Sequence, residues 1–245
     1  MFISFEGTEG VGKTTLIRKL YDYFQAQNID VVLTREPGGT PMAEQIRSVL
    51  LSVNHDEAMS NDTELLLIYA ARAQHLQQVI IPALQAGKVV LCDRFTDASF
   101  AYQCFGRGLS QEKFHLLNQN FVSHCPDVTF WLDAPIETGM ARARERGALD
   151  RFEQEKVSFF EKVRAGYAHL WQQQSFSQTI VATDCPSCLL QMPDARLASF
   201  VRGFAAHPRP SNSCHWRLQR RARVRHTLVK HACVVPTLRQ VRGGN

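Results

Sequence analysis

Gly7-Thr8-Glu9-Gly10-Val11-Gly12-Lys13-Thr14 follows the short apolar run Phe2-Ile3-Ser4-Phe5 and leads into a helical pattern. The stretch fits G-x-x-x-x-G-K-[ST], in which glycines let the backbone curl so that its N–H groups point inward at phosphate oxygens. The start of the next helix adds positive potential there. Lys13 is placed to reach the β- and γ-phosphates of a nucleoside triphosphate, and the Thr14 hydroxyl to bind Mg²⁺. A phosphotransferase of the P-loop kind is the reading from which the rest of the chain is approached.

Outward from this loop, short apolar strands alternate with helical patterns. A helix is expected from Lys13-Thr14 to about Gln27, with Leu16, Leu20, Tyr23 and Phe24 on one face. Val31–Thr34 is a second strand, followed by the turn-rich Arg35-Glu36-Pro37-Gly38-Gly39-Thr40. Helices are expected near 41–53 and 62–86, a strand at Lys88–Cys92, helices near 96–104 and 110–124, and a strand at Val128–Leu132. Helices near 135–146 and 153–174 and a strand at Thr179–Val181 complete the pattern. Such alternation implies an α/β fold with a mainly parallel sheet flanked by helices, and ligands at the carboxyl ends of its strands. Gly7–Thr14, Arg35–Thr40 and Asp93-Arg94 all fall at such ends, so they are expected to share one site. Asp93 is the candidate second Mg²⁺-facing group, the alternative being an Asp–Arg pair that caps a helix.

Residues 142–151, RARERGALDR, hold Arg142, Arg144, Arg146 and Arg151. A solvated helix end would carry such a run, but phosphoryl transfer needs cations over the migrating group, and a mobile arginine-bearing lid would also exclude water. No His/Ser/Asp triad and no metal-ligand cluster is legible. A phosphate acceptor needs no general base, because a phosphomonoester is mostly dianionic at neutral pH. A nucleoside monophosphate kinase fits better than an enzyme that phosphorylates a hydroxyl.

Several segments, in order, make residues 1–184 resemble the thymidylate kinases, specifically their bacterial branch. They are FEGTEGVGKTT at 5–15, TREPGGT at 34–40, YAARAQ at 69–74, DRFTDASFAYQ at 93–103, GRG at 106–108 and RARERGALDRFE at 142–153. The resemblance implies a P-loop, three-layer fold with five parallel strands, and a cytoplasmic homodimer. It implies in-line transfer of the γ-phosphoryl group of ATP to dTMP, giving dTDP for dTTP synthesis, with Mg²⁺ on Thr14 and Asp93. ATP would be held by Gly7, Thr8, Glu9, Gly10, Val11, Gly12, Lys13, Thr14, Thr15 and Arg142. For dTMP, Glu9 would contact the sugar hydroxyl, and Arg47 and Arg94 would grip the phosphate. Arg72 would bond the thymine carbonyl edge, Ser99 and Gln103 would read the rest of the base, and Tyr102 would crowd the 2′ position. The other branch of the family carries an arginine in the P-loop where this chain has Gly10. The transition-state arginine is therefore expected from the lid at about 140–152, first Arg146, with Arg142, Arg144 and Arg151 behind it. Lys13, Arg94 and Arg146 form the expected catalytic set.

Three departures stand out. The family's base-stacking phenylalanine is Ile68 here, beside Tyr69, which leaves a kinase for another nucleoside monophosphate as the alternative. Cys104-Phe105 replaces two glycines of the family's QGGGRG. The third departure is the end of the chain. Residues 1–185 carry 17 basic and 22 acidic residues, a net of −5, while residues 186–245 carry ten Arg and one Lys against Asp194 alone, a net of +10. That Arg-rich tail reads as a non-homologous, poorly ordered extension, as from translation in a shifted frame, which would leave the adenine pocket short of a wall and impair the enzyme. The alternative is a nucleic-acid-binding segment acting through such stretches as Arg217–Arg225. Seven cysteines do not form a disulfide framework, Cys185 and Cys188 make a lone CxxC, and neither a membrane span nor a signal peptide is legible.

Overall fold

The computed structural model describes residues 1–180 apart from positions 55, 146, 148 and 174–177. Arg146, Cys185, Cys188 and the whole of 186–245 therefore lie outside the described residues. Parallel strands β1 (Phe2–Glu6), β2 (Val31–Arg35), β3 (Val89–Asp93), β4 (Val128–Leu132) and β5 (Gln178–Ile180) form one sheet in the order β2-β3-β1-β4-β5. Every residue of β1 is buried at the centre of the sheet, which suits its largely apolar sequence and leaves Ser4 and Glu6 as buried polar groups. β2 lies at an edge and is half-buried, with Leu33 exposed.

Period-two alternation along β1 divides the core. Ile3 and Phe5 join Leu16, Leu20 and Phe24 of helix α1 (Lys13–Ala26) on one face, with Phe130 and Leu132 of β4. Phe2 turns to the other face, among Tyr69, Phe95, Phe100 and Phe114. Each fully buried side chain of this size contributes about 1.5–3 kcal/mol. The result is a sheet between two helical layers.

Helix α2 (Pro41–Leu51) starts with Pro41 in its first turn and the Thr40 side chain accepting from Ala43 N–H at 3.1 Å. The single helix expected over 62–86 is three pieces: α3 (Asn61–His75), a π-helical turn Leu76–Ile80, and α4 (Ile81–Gln85). Pro82 has no N–H to give the preceding turn, which explains the change of ladder there. The helix expected over 96–104 is likewise α5 (Thr96–Ser99) followed by a π-helical segment, Phe100–Gly106. Helices α6 (Gln111–Phe121), α7 (Ile136–Glu145) and α8 (Val157–Gln173) complete the fold, α8 beginning later than its expected start at 153.

Strand order positions the site. The chain leaves β1 for the edge, returns to β3 beside β1, and then crosses to β4 on the other side, so the order reverses at β1. Phe5 pairs with Asp93, and Arg94 N–H donates to Phe5 C=O at 2.9 Å. The loop after β1 and the Asp93-Arg94 pair are thereby side by side.

Candidate active site

The loop Gly7–Gly12 is fixed by close backbone packing. Gly7 (φ 132°) sits against the carbonyl oxygen of Leu132, and Gly10 (φ 66°) against that of Gly139 in α7; a Cβ at either would overlap those atoms. Lys13 is buried and donates to the carbonyls of Gly7 at 3.2 Å and Thr8 at 2.7 Å. Burial first, and then the Arg94 charge, hold its ammonium below the usual lysine range.

A cavity of about 520 Å³ opens over this loop. Glu9, Gly10, Val11, Gly12, Lys13, Thr14 and Thr15 form one wall, and Arg142 of α7 adds to it. Arg47, Arg72, Asp93, Arg94, Ser99, Tyr102 and Gln103 line the rest. The residues singled out along 140 positions of sequence thus converge. Gly7 and Thr8 stand behind the wall, where they supply carbonyls to Lys13, and the Gly7 carbonyl also takes Arg94 Nη1 at 2.9 Å.

Arg94 stands at the end of the cavity beside the glycine loop with a left-handed backbone (φ 70°). Its Nη2 donates to Glu9 Oε1 at 2.6 Å, and its guanidinium lies 5.0 Å from the Tyr102 ring centre. Burial works against the charge, but Glu9 and the neighbouring tyrosine oxygens outweigh it, and Arg94 stays well above the usual arginine range. Tyr102 O–H donates to the same Glu9 oxygen at 3.1 Å. Arg47 donates to Pro37 C=O at 2.8 Å; burial, then the nearby Arg35, lowers its pKa.

At the other end Arg72 is 2% exposed, a burial that demands partners. Its Nε donates to Glu36 at 2.6 Å, and its Nη2 to Phe95 C=O at 3.1 Å and Ser99 Oγ at 3.0 Å. Glu36 also takes His75 Nδ1 at 3.1 Å. Arg72 Nη1 has no hydrogen-bond partner among the described residues, and the same holds for Gln103 Oε1 and Asp93 Oδ1. All three residues line the cavity. Ile68, not Tyr69, faces it: Tyr69 turns into the core and donates to Asn118 Oδ1 at 2.8 Å. Phe105, the bulky replacement in the glycine turn, packs on Phe100 and His169 away from the cavity.

The described lid arginines separate. Arg142 lines the cavity and donates to Gly10 C=O at 3.3 Å. Arg144 is exposed on α7 and does not line the cavity. Arg151 points elsewhere: its Nε donates to Leu50 C=O at 2.7 Å, its Nη2 lies 2.7 Å from Glu64, and its guanidinium covers the Phe152 ring. These contacts tie Arg151 to the C-terminal end of α2 and the start of α3.

Three supporting carboxylates gain their meaning from their partners, two of them from segments that look ordinary in the sequence. They are Glu36, Glu64 and Glu6. Glu6 is fully buried under Arg94; it accepts from Phe95 N–H at 2.7 Å and from Tyr167 O–H at 3.1 Å. Burial, then the neighbouring Asp97 charge, pushes its carboxyl up to about 8, and burial lifts Asp97 to about 6. Glu36 alone had a signal, its place inside the TREPGGT turn.

Asp93 and Thr14 suit a hard cation. Both border the cavity beside the phosphate loop, both offer oxygen, and Asp93 Oδ1 is buried without a partner among the described residues.

Comparison with known proteins points to one family. The thymidylate kinase family profile matches residues 5–191. A thymidylate kinase of Acinetobacter baumannii (strain ATCC 17978) is 80% identical over 172 residues, 70% of this chain and 86% of the relative. One from a Psychrobacter species is 50% identical over 197 residues, 79% of this chain and 93% of the relative. The crystal structure of thymidylate kinase from Ehrlichia chaffeensis superposes with a TM-score of 0.64 at 31% identity, covering 82% of this chain and 98% of that one.

Proposed function

The chain belongs to the thymidylate kinase family and is a dTMP kinase that uses ATP, and from that premise we propose how the cavity divides the work. The loop Gly7–Thr15, with Arg142, takes the ATP phosphates. Lys13 leaves the Gly7 and Thr8 carbonyls for the β- and γ-oxygens, a short move for a buried ammonium that already borders the cavity. Thr14 and Asp93 hold Mg²⁺, which when bound supplies positive charge to the phosphate oxygens.

dTMP occupies the opposite end. Arg94 and Arg47 bind its phosphate, and Glu9, fixed by Arg94 and Tyr102, accepts from the sugar hydroxyl. The base lies on Ile68 between Arg72 and Gln103, with Ser99 completing that wall and Tyr102 against the 2′ position. The single observation that carries this assignment is the pair of unpartnered atoms, a donor on Arg72 and an acceptor on Gln103. Thymine presents the matching acceptor and donor on its 4-oxo, N3–H edge, whereas cytosine presents the reverse.

The catalytic arginine over the migrating phosphoryl group we assign to Arg146, as part of a lid at about 140–152. We take the enzyme to be a cytoplasmic homodimer, a reading supported by exposed Leu66 on α3 and exposed Leu116 and Phe121 on α6. No helix among the described residues is long and apolar enough to cross a membrane. Residues 1–185 we treat as the kinase domain and 186–245 as a non-homologous extension.

Measuring kcat/KM of Arg72→Leu and the wild-type chain with dTMP and dCMP tests the base assignment. The variant should lose most of its preference for dTMP; an unchanged preference would refute it.

A further inference from the structure

Glu64 lies in the first turn of α3, is 1% exposed, and does not line the cavity. Three side chains from distant parts of the sequence converge on it. Gln103 Nε2, from the π-helical segment, donates to Oε1 at 2.8 Å. Arg107 Nε, from the turn after that segment, reaches Oε1 and Oε2 at 3.2 and 3.3 Å. Arg151 Nη2, at the end of the lid, is 2.7 Å from Oε2. Arg107 also bonds Glu155 and lies 4.7 Å from the Phe159 ring centre. Arg151 N–H donates to Leu51 C=O at 3.2 Å.

The chemistry of these partners orients Gln103. A carboxylate offers acceptors only, so of the two ends of a glutamine amide the NH₂ must face it. The other end is then an acceptor by default, and Gln103 Oε1 is the buried, unpartnered atom of this cavity-lining residue. Reversing the amide would set oxygen against oxygen at Glu64 and present a donor to the base. That reversed end suits the N3 acceptor of a 4-amino pyrimidine.

We propose that Glu64 is the positioning residue for base selection, holding the Gln103 amide with its acceptor toward the base. Through Arg107 and Arg151 the same carboxylate ties that orientation to the anchored end of the lid. The inference rests on the base assignment proposed above.

The ratio of kcat/KM for dTMP to that for dCMP, measured on the full chain, isolates this role. Both substrates are assayed on one preparation, so a loss of folded enzyme leaves the ratio unmoved. Two near-isosteric substitutions separate orientation from charge. Glu64→Gln loses the charge but keeps an oxygen where two donors meet at Oε1, so Gln103 still has an acceptor. Glu64→Asp keeps the charge and withdraws it from Gln103 by one methylene. The inference expects Glu64→Gln to retain the wild-type ratio and Glu64→Asp to lower it about tenfold, the scale of one mispaired buried polar group. Any other pattern overturns it, including equal ratios in both variants or a fall in Glu64→Gln. Gln103→Leu separates this failure from that of the underlying assignment. If Gln103→Leu keeps the wild-type ratio, the base assignment falls and the inference with it. If Gln103→Leu lowers the ratio and Glu64→Asp does not, the role of Glu64 alone is refuted.

Discussion

The two ends of the cavity hold their polar groups in different ways. At the base end Arg72 and Gln103 are each clamped from behind by a buried carboxylate, Glu36 and Glu64, and each retains one unpartnered atom. At the end beside the glycine loop Lys13 rests on two backbone carbonyls, which on the proposed assignment phosphate oxygens replace, while Arg94 keeps the Gly7 carbonyl, Glu9 and Tyr167 as partners. On the assignment we propose, one end is set for discrimination, where a wrong edge meets atoms that cannot turn away. The other is set for exchange, where charge must shift with the migrating group. Clamped polar groups at the first end and an exchangeable lysine at the second suit the two tasks proposed for them.

The comparison can be broken at several points. The largest effect belongs to the exchangeable lysine: Lys13→Ala should lower kcat by about 10³-fold, the scale for removing a charge that acts on the transition state, with a smaller change in KM. Rapid-quench measurement of the chemical step checks this. Arg72→Leu comes next, because its Nη1 pairs with the base throughout the reaction. It should weaken dTMP binding by roughly 1–3 kcal/mol, read as a rise in KM or by calorimetry. Tyr102→Phe removes a donor to Glu9 Oε1 and should raise the KM for dTMP by about fivefold, in line with a loss of about 1 kcal/mol.

A pH experiment probes the support beneath Arg94. Glu6 is raised from 4.5 to about 8 by burial and the adjacent Asp97 charge. A carboxyl raised on folding binds more protons in the folded state. Its contribution to stability is therefore complete below about pH 4.5 and is lost as pH rises through about 8. Wild-type unfolding free energy should decline across that window, and Glu6→Gln should flatten the decline. An identical slope in chemical denaturation of both would show that Glu6 titrates normally. The smallest expected effect is on the extension: a chain ending at residue 185 should match the full chain in melting temperature and turnover.

Much of this site could be read from the order of residues. The loop Gly7–Thr14 and the pair Asp93-Arg94 announce themselves because their spacing encodes local geometry: glycines where the backbone must turn, and charges at the end of an apolar run. Arg72, Ser99 and Gln103 were legible only through the family resemblance, since nothing local distinguishes them from other helix residues. The clamps were harder still. Glu64 looks like a first-turn helix acid, and its meaning comes from Gln103, Arg107 and Arg151, 39 to 87 positions away. The contacts of Arg151 were hidden for the same reason: a run of arginines does not tell which one meets Glu64 and Leu50. The helix breaks at Leu76 and Phe100 shift the ladder without interrupting the apolar pattern. A periodicity argument therefore passes over them.

On the proposed assignment the base end carries a fixed donor and a fixed acceptor matched to thymine. A coupled assay of the full chain with dTMP, dUMP, dCMP and dAMP, each over a range of concentrations, tests it most directly. The account predicts dTMP as the best acceptor, dUMP next because it shares the same 4-oxo, N3–H edge, and dCMP far behind both. A kcat/KM for dCMP equal to that for dTMP would contradict it.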